Sequence, residues 1–87
     1  TKAATNAAKH GVTFDEAKTV FYDDDALVIS DPDHSETEDR FIIMGASADL
    51  RILVVIHCFR RSGSSIRIIS ARKAGSKEQK PYWEKKK

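Results

Sequence analysis

Residues 51–59 (RILVVIHCF) constrain this chain more than any other stretch. A strand sends successive side chains to opposite faces. Ile52, Val54 and Ile56 then fall on one side and Leu53, Val55 and Phe59 on the other, so both sides are apolar. A strand that needs cover on both faces sits in the middle of a sheet. The run is much shorter than the roughly 20 apolar residues needed to cross a membrane. The N-terminus also lacks the charged-then-apolar order of a signal peptide. These features imply a soluble, cytoplasmic protein.

Three more strands are expected around the central one, at residues 26–30, 40–46 and 65–72. The links are short and rich in turn formers: Ser47 and Asp49 in one, Ser62-Gly63-Ser64 in the other. They suit antiparallel hairpins. Residues 2–10 (KAATNAAKH) are helix formers that stop at Gly11, as at a left-handed glycine cap. Thr13-Phe14-Asp15-Glu16 reads as a capping box, in which Thr13 accepts from the Glu16 amide and the Glu16 side chain reaches back to Thr13. Phe14, Ala17, Val20 and Phe21 then share one helical face, which should lie on the sheet. The acids of residues 22–25 end that helix. Ser76 and Gln79 resemble a second capping box. Pro81 would clash inside a helix begun there, so a C-terminal helix should be short, kinked or start near Pro81. Residues 1–87 read as a single α+β domain with helices against a curled antiparallel sheet of about four strands. A domain this small buries roughly 60% of the surface of its unfolded chain. Its chemistry is therefore expected in a shallow groove or on a sheet face.

The formal net charge of +2 conceals an asymmetry. Residues 1–50 hold four Lys/Arg and eleven Asp/Glu, a net of −7, and residues 51–87 hold eleven Lys/Arg and two Asp/Glu, a net of +9. Without Lys85, Lys86 and Lys87 the second half still carries +6. Such a basic half suits a polyanion, although the halves could also neutralise each other in the fold. The single cysteine, Cys58, excludes an internal disulfide and a cysteine-built zinc site, and its apolar context suits a small buried side chain. His34 with Asp31, Asp33 and Glu36 is better read as an exposed acidic turn than as a metal site, because a hard cation needs more ligands in defined geometry. No metal or other cofactor is expected.

Residues that could carry chemistry gather on the third and fourth strands and their ends: His57, Arg60, Arg61, Arg67, Arg72 and Lys73. Arg67 interrupts an apolar strand and must reach solvent, an acid or a phosphate. A guanidinium fork matches two phosphate oxygens. An ion pair with Glu38 or Asp39 would satisfy Arg67 equally well. His57 can be a packed histidine or a proton carrier, since its ordinary pKa makes it eligible.

Several blocks together resemble the BrnT family of ribonuclease toxins. The opening carries Asn6, Lys9-His10-Gly11-Val12, Phe14, Glu16-Ala17 and Val20-Phe21. The middle carries Asp31, His34, Glu38, Arg40, Gly45 and Ser47. The end carries Arg51, Leu53-Val54-Val55 and Arg67-Ile68-Ile69-Ser70-Ala71-Arg72, with Ala74, Glu78 and Tyr82. The match spans about residues 2–82. It implies a RelE-like fold and a metal-independent endoribonuclease that uses a 2′-hydroxyl as nucleophile and inhibits translation. It implies neutralisation by a BrnA-like ribbon-helix-helix antitoxin, and operator DNA bound only through that antitoxin. In this reading Arg67 and Arg72 stabilise the phosphate and His57 or Glu38 transfers protons. Lys9, Arg40, Arg60, Arg61, Lys73 and Lys77 contact RNA. The competing readings are a catalytically inactive antitoxin-binding module and a non-catalytic RNA-binding protein. The chain departs from the family pattern twice. It opens at Thr1, after the short strand with which the family usually begins, and a sheet edge left unpaired would invite association. Pro81 also falls within the family's usual last helix.

Overall fold

A computed structural model describes residues 2–30, 40–59 and 65–86. The elements run α1 (Lys2–His10), α2 (Phe14–Thr19), a 3-10 turn (Val20–Tyr22), β1 (Leu27–Ser30), β2 (Arg40–Ala46), β3 (Ile52–Phe59), β4 (Ile66–Lys73) and α3 (Lys80–Lys86). The strands form one antiparallel sheet in the order β1-β2-β3-β4. The apolar run thus occupies an inner position. Each expected strand is present, displaced by no more than a residue at its ends.

β3 divides the core into two layers. Leu53 and Val55 pack with Val12, Ala17, Val20, Ile43 and Ala71 under α2 and the 3-10 turn. Ile52 and Val54 pack on the other side with Met44, Ala74 and Tyr82 of α3. Gly45 permits the first layer to close. A Cβ there would stand 2.9 Å from the Ala26 Cβ and 3.1 Å from Val20 Cγ1.

The helical corner follows the expected capping in part. Gly11 takes a left-handed φ of 68°, and its N–H donates to the Ala7 carbonyl at 2.9 Å, closing α1. Thr13 Oγ1 accepts from the Glu16 amide at 3.0 Å. Glu16 does not reach back to complete the box. Its carboxylate accepts instead from Ser47 Oγ at 2.7 Å and from Arg51 Nε at 2.9 Å, with a further contact to Arg51 Nη2. An ionised guanidinium outcompetes a backbone N–H for a carboxylate, so Glu16 ties α2 to the β2–β3 turn. Arg51 also donates to the Gly11 carbonyl at 3.1 Å.

The C-terminal helix starts beside Pro81, as the proline requires. The second capping box does not form, because Gln79 Nε2 donates to the Ala74 carbonyl at 3.0 Å and Gln79 Oε1 accepts from Trp83 Nε1 at 3.0 Å. Tyr82 anchors α3. Its hydroxyl donates to Asp23 Oδ2 at 2.6 Å. The same carboxylate accepts from the amides of Ala46 at 2.8 Å and Asp25 at 3.0 Å. Among the described residues no helix is long and apolar enough to cross a membrane.

Candidate nucleic-acid interface

An irregularity in β4 decides which side chains share a face. Pairing runs from Leu53↔Lys73 to Ile56↔Ser70 and resumes at His57↔Ile68. Ile69 is therefore an extra residue, a β-bulge. In a regular strand residues 67 and 72 would point to opposite sides. The bulge reverses the alternation, so Arg67 (opposite Cys58) and Arg72 (opposite Val54) share the face of Val54 and Met44. Arg40 also pairs with Cys58 and joins them, in a row Arg40–Cys58–Arg67 across three strands. At strand rises of about 3.3 Å and strand spacings of about 4.8 Å, Arg67 lies roughly 13 Å from Arg72 and roughly 10 Å from Arg40. Three arginines thus share one face of the sheet at spacings too wide to close on a single anion, with the Arg40 Nε buried.

The arginines differ in their surroundings. Arg67 is half-buried, and among the described residues its guanidinium makes no hydrogen bond or ion pair. Arg72 is forked onto Glu78, with Nη1 donating to Oε1 at 2.7 Å and Nη2 to Oε2 at 2.8 Å. The hydrogen bonds from Arg72 hold the Glu78 carboxyl down to about 2, against the smaller effect of its partial burial. Bonding to Glu78 in turn raises the Arg72 pKa. An apolar groove of about 280 Å³ runs beside this pair, floored by Leu27, Ile42, Met44 and Val54.

His57 is on the other face. It stands opposite Phe41 and Ile68, is 1% exposed, and lies among the rings of Phe21, Phe41 and Phe59 at centroid distances of 4.8, 6.0 and 5.6 Å. Burial lowers its pKa and outweighs its hydrogen bond to a backbone carbonyl. Nδ1 lies 3.3 Å from the Val55 oxygen, a carbonyl that can only accept, so the ring carries a proton on Nδ1. The structure therefore does not bring His57 together with Arg67 and Arg72; the whole sheet separates them. The packing that the sequence left open as one of two roles is the one observed.

Lys9, Lys73 and Lys77 are exposed. Lys73 ends β4 opposite Leu53, on the helical side, and Lys77 lies in the turn before α3. Lys9 lines a groove of about 360 Å³ with Lys2, His10, Ile69 and Ser70, around the edge of β4 at the bulge. Glu38, Arg60 and Arg61 fall outside the described residues, as does the acidic turn containing Asp31, Asp33, His34 and Glu36. Among the described residues no three His, Cys, Asp or Glu side chains gather as metal ligands. Cys58 is buried and free, as its apolar context implied.

Sequence reasoning missed two residues at this site. Asn6 uses its amide as a strand would. Nδ2 donates to the Ala71 carbonyl at 2.9 Å, and Oδ1 accepts from the Ala71 amide at 3.0 Å. Asn6 thereby seals the outer edge of β4 between the bulge and Arg72. Glu78 was legible only as part of a family block, since nothing in its spacing from Arg72 announces a bidentate pair.

The comparison with curated proteins finds no match. The family model for the ribonuclease toxin BrnT of type II toxin–antitoxin systems matches residues 1–78, a span that includes the whole sheet and the Arg72–Glu78 pair. The chain belongs to the BrnT family of ribonuclease toxins.

Proposed function

We propose that this chain is a metal-independent endoribonuclease whose substrate lies across the arginine face of the sheet. The observation that carries the proposal is the bulge at Ile69, which turns Arg67 and Arg72 to the same side as Arg40. In the reaction a 2′-oxygen attacks the adjacent phosphorus and the bond to the 5′-oxygen breaks. One proton leaves the 2′-hydroxyl and another reaches the departing oxygen. Charge builds on the non-bridging phosphate oxygens, where fixed guanidinium groups act most strongly. Arg67 and Arg72 fill that role, and Arg40 holds a neighbouring phosphate. Glu38, two residues before Arg40, is the proposed proton carrier, and buried His57 is assigned to the core. Lys9, Lys73, Lys77, Arg60 and Arg61 supply the wider attraction for RNA, which weakens with salt as counterions are released.

Family membership supports an antitoxin partner. We assign that partner as a BrnA-like ribbon-helix-helix protein through which the complex reaches operator DNA and represses its own operon. The engagement of Arg72 by Glu78 favours one competing reading, an inactive antitoxin-binding module. Incubation of the antitoxin-free chain with a labelled RNA in EDTA, beside Arg67→Ala and Arg72→Ala, separates the two. Cleavage by the parent that falls at least about 100-fold in the variants, in line with removal of one oxyanion-stabilising donor, supports the nuclease. Intact RNA from a folded parent supports the binding module.

A further inference from the structure

We infer that Glu78 is a positioning residue that fixes the guanidinium of Arg72 for phosphate contact, an inference that rests on reading Arg72 as a phosphate ligand. A guanidinium has five N–H donors in a planar fork. Glu78 takes the two terminal nitrogens, Nη1 and Nη2, at 2.7 and 2.8 Å. Nη1 also approaches the Lys73 carbonyl at 3.4 Å. Nε makes no contact with Glu78, and Nη2 has a second N–H. These two form the side-on edge of the guanidinium, a second fork that also matches a pair of phosphate oxygens. The carboxylate therefore orients the group without consuming its capacity to bind an anion.

Glu78 is itself held. Its Oε1 accepts from the Gly75 amide at 3.0 Å, so one oxygen joins the guanidinium to the backbone of the turn. That turn is pinned at its start, where the Ala74 amide donates to the Ile52 carbonyl at 2.9 Å. It is pinned beyond by the Gln79 amide on the Gly75 carbonyl at 3.1 Å and by Tyr82 on Asp23. The Arg72 side chain is 46% exposed and would otherwise sample many rotamers. Holding it in one orientation removes an ordering cost from the step in which charge develops. Its neighbour on the face, Arg67, lacks such a partner among the described residues. Among the described residues Arg72 has a dedicated orienting group and Arg67 does not, so these two arginines divide the work: Arg72 supplies a fixed contact and Arg67 an adaptable one.

The contrary possibility is that Glu78 masks Arg72 as a phosphate mimic. The two differ in the sign of a measurable effect. Steady-state cleavage of a labelled RNA oligonucleotide would be followed for the parent, Arg72→Ala, Glu78→Gln and Glu78→Ala, with a thermal melt of each protein. Positioning predicts that kcat falls by about 10-fold or more in Glu78→Ala, within the reach of misplacement effects. Glu78→Gln, which keeps an acceptor for one nitrogen, should be intermediate. KM should stay level or fall, because the face has lost a negative charge. The melting midpoint should drop by less than about 8 °C, as for an exposed ion pair. A kcat at or above the parent value in both Glu78 variants, with Arg72→Ala inactive, overturns positioning in favour of masking. A loss of activity that matches the loss of folded protein overturns it in favour of a structural role. Full activity in Arg72→Ala instead removes the underlying reading of Arg72.

Discussion

Replacing Asn6 with alanine removes three hydrogen bonds at once. Its Nδ2 donates to the carbonyls of Val12 at 2.8 Å and Ala71 at 2.9 Å, and its Oδ1 accepts from the Ala71 amide at 3.0 Å. The side chain is 6% exposed, so water cannot easily replace it. Each bond contributes about 1 kcal/mol net, or about 3 kcal/mol together. Alanine is the better helix former in α1 by about 0.5 kcal/mol, which leaves a loss of about 2.5 kcal/mol. At ~4–8 °C per kcal/mol for a domain of this size, the midpoint should fall by about 10–20 °C. Urea unfolding followed by far-UV circular dichroism measures the loss directly, provided the slope is unchanged. Hydrogen exchange at the Ala71 amide reports the same site, and its protection should drop by more than the global change. Asn6→Asp keeps the acceptor but sets a carboxylate against two carbonyls. It should be at least as unstable at neutral pH and recover part of the loss in acid, when its raised pKa lets it protonate. A loss below about 1 kcal/mol for Asn6→Ala at unchanged slope would refute the claim that Asn6 seals this edge.

The remaining predictions concern the core and its titrating groups. Tyr82→Phe should cost about 1.5–3 kcal/mol in urea unfolding at neutral pH, the range for a bond to a charged group. Asp23 is held below its ordinary pKa although burial opposes this, because the Tyr82 hydroxyl and two amides bond its charged form. Burial and the bond to Asp23 push Tyr82 up to about 12. The Asp23 contribution is thus present above the unfolded carboxyl pKa and lost as pH falls through the folded one. The Tyr82 contribution is complete below an unfolded pKa of about 10 and lost as pH rises toward 12. Parent and Tyr82→Phe stability curves should converge at both ends; a constant gap from acid to alkali would count against the clamp. Burial lowers the His57 pKa, so parent stability should decline as pH drops below about 6.5. His57→Phe should flatten that decline and retain RNA cleavage in its folded fraction, and abolished cleavage by a folded variant would return His57 to the mechanism. Gly45→Ala should cost about 1–3 kcal/mol through overpacking against Ala26 and Val20; an unchanged denaturation midpoint would show that the 3-10 turn can move aside.

The local content of the fold was legible in the chain itself. The two-sided run at residues 51–59 placed β3 inside the sheet, Gly11 and Thr13 marked the break between α1 and α2, and Pro81 set the start of α3, because periodicity, capping and proline geometry depend only on near neighbours. The family blocks were legible as well, and the match to the ribonuclease toxin family over residues 1–78 bears them out. Tertiary structure alone decided the rest. No spacing rule reveals the bulge at Ile69, since it arises from how β4 meets β3, yet it determines that Arg67 and Arg72 share a face. Glu16 had a local partner in its own cap and took Arg51 instead, 35 positions away, because a charged donor brought close by folding outweighs a neutral one nearby. His57 lies between Arg40 and Arg67 in the chain, yet it faces the opposite side of the sheet from the arginines. A side chain's type is written in the sequence, but the groups that compete for it are assembled only when distant segments pack.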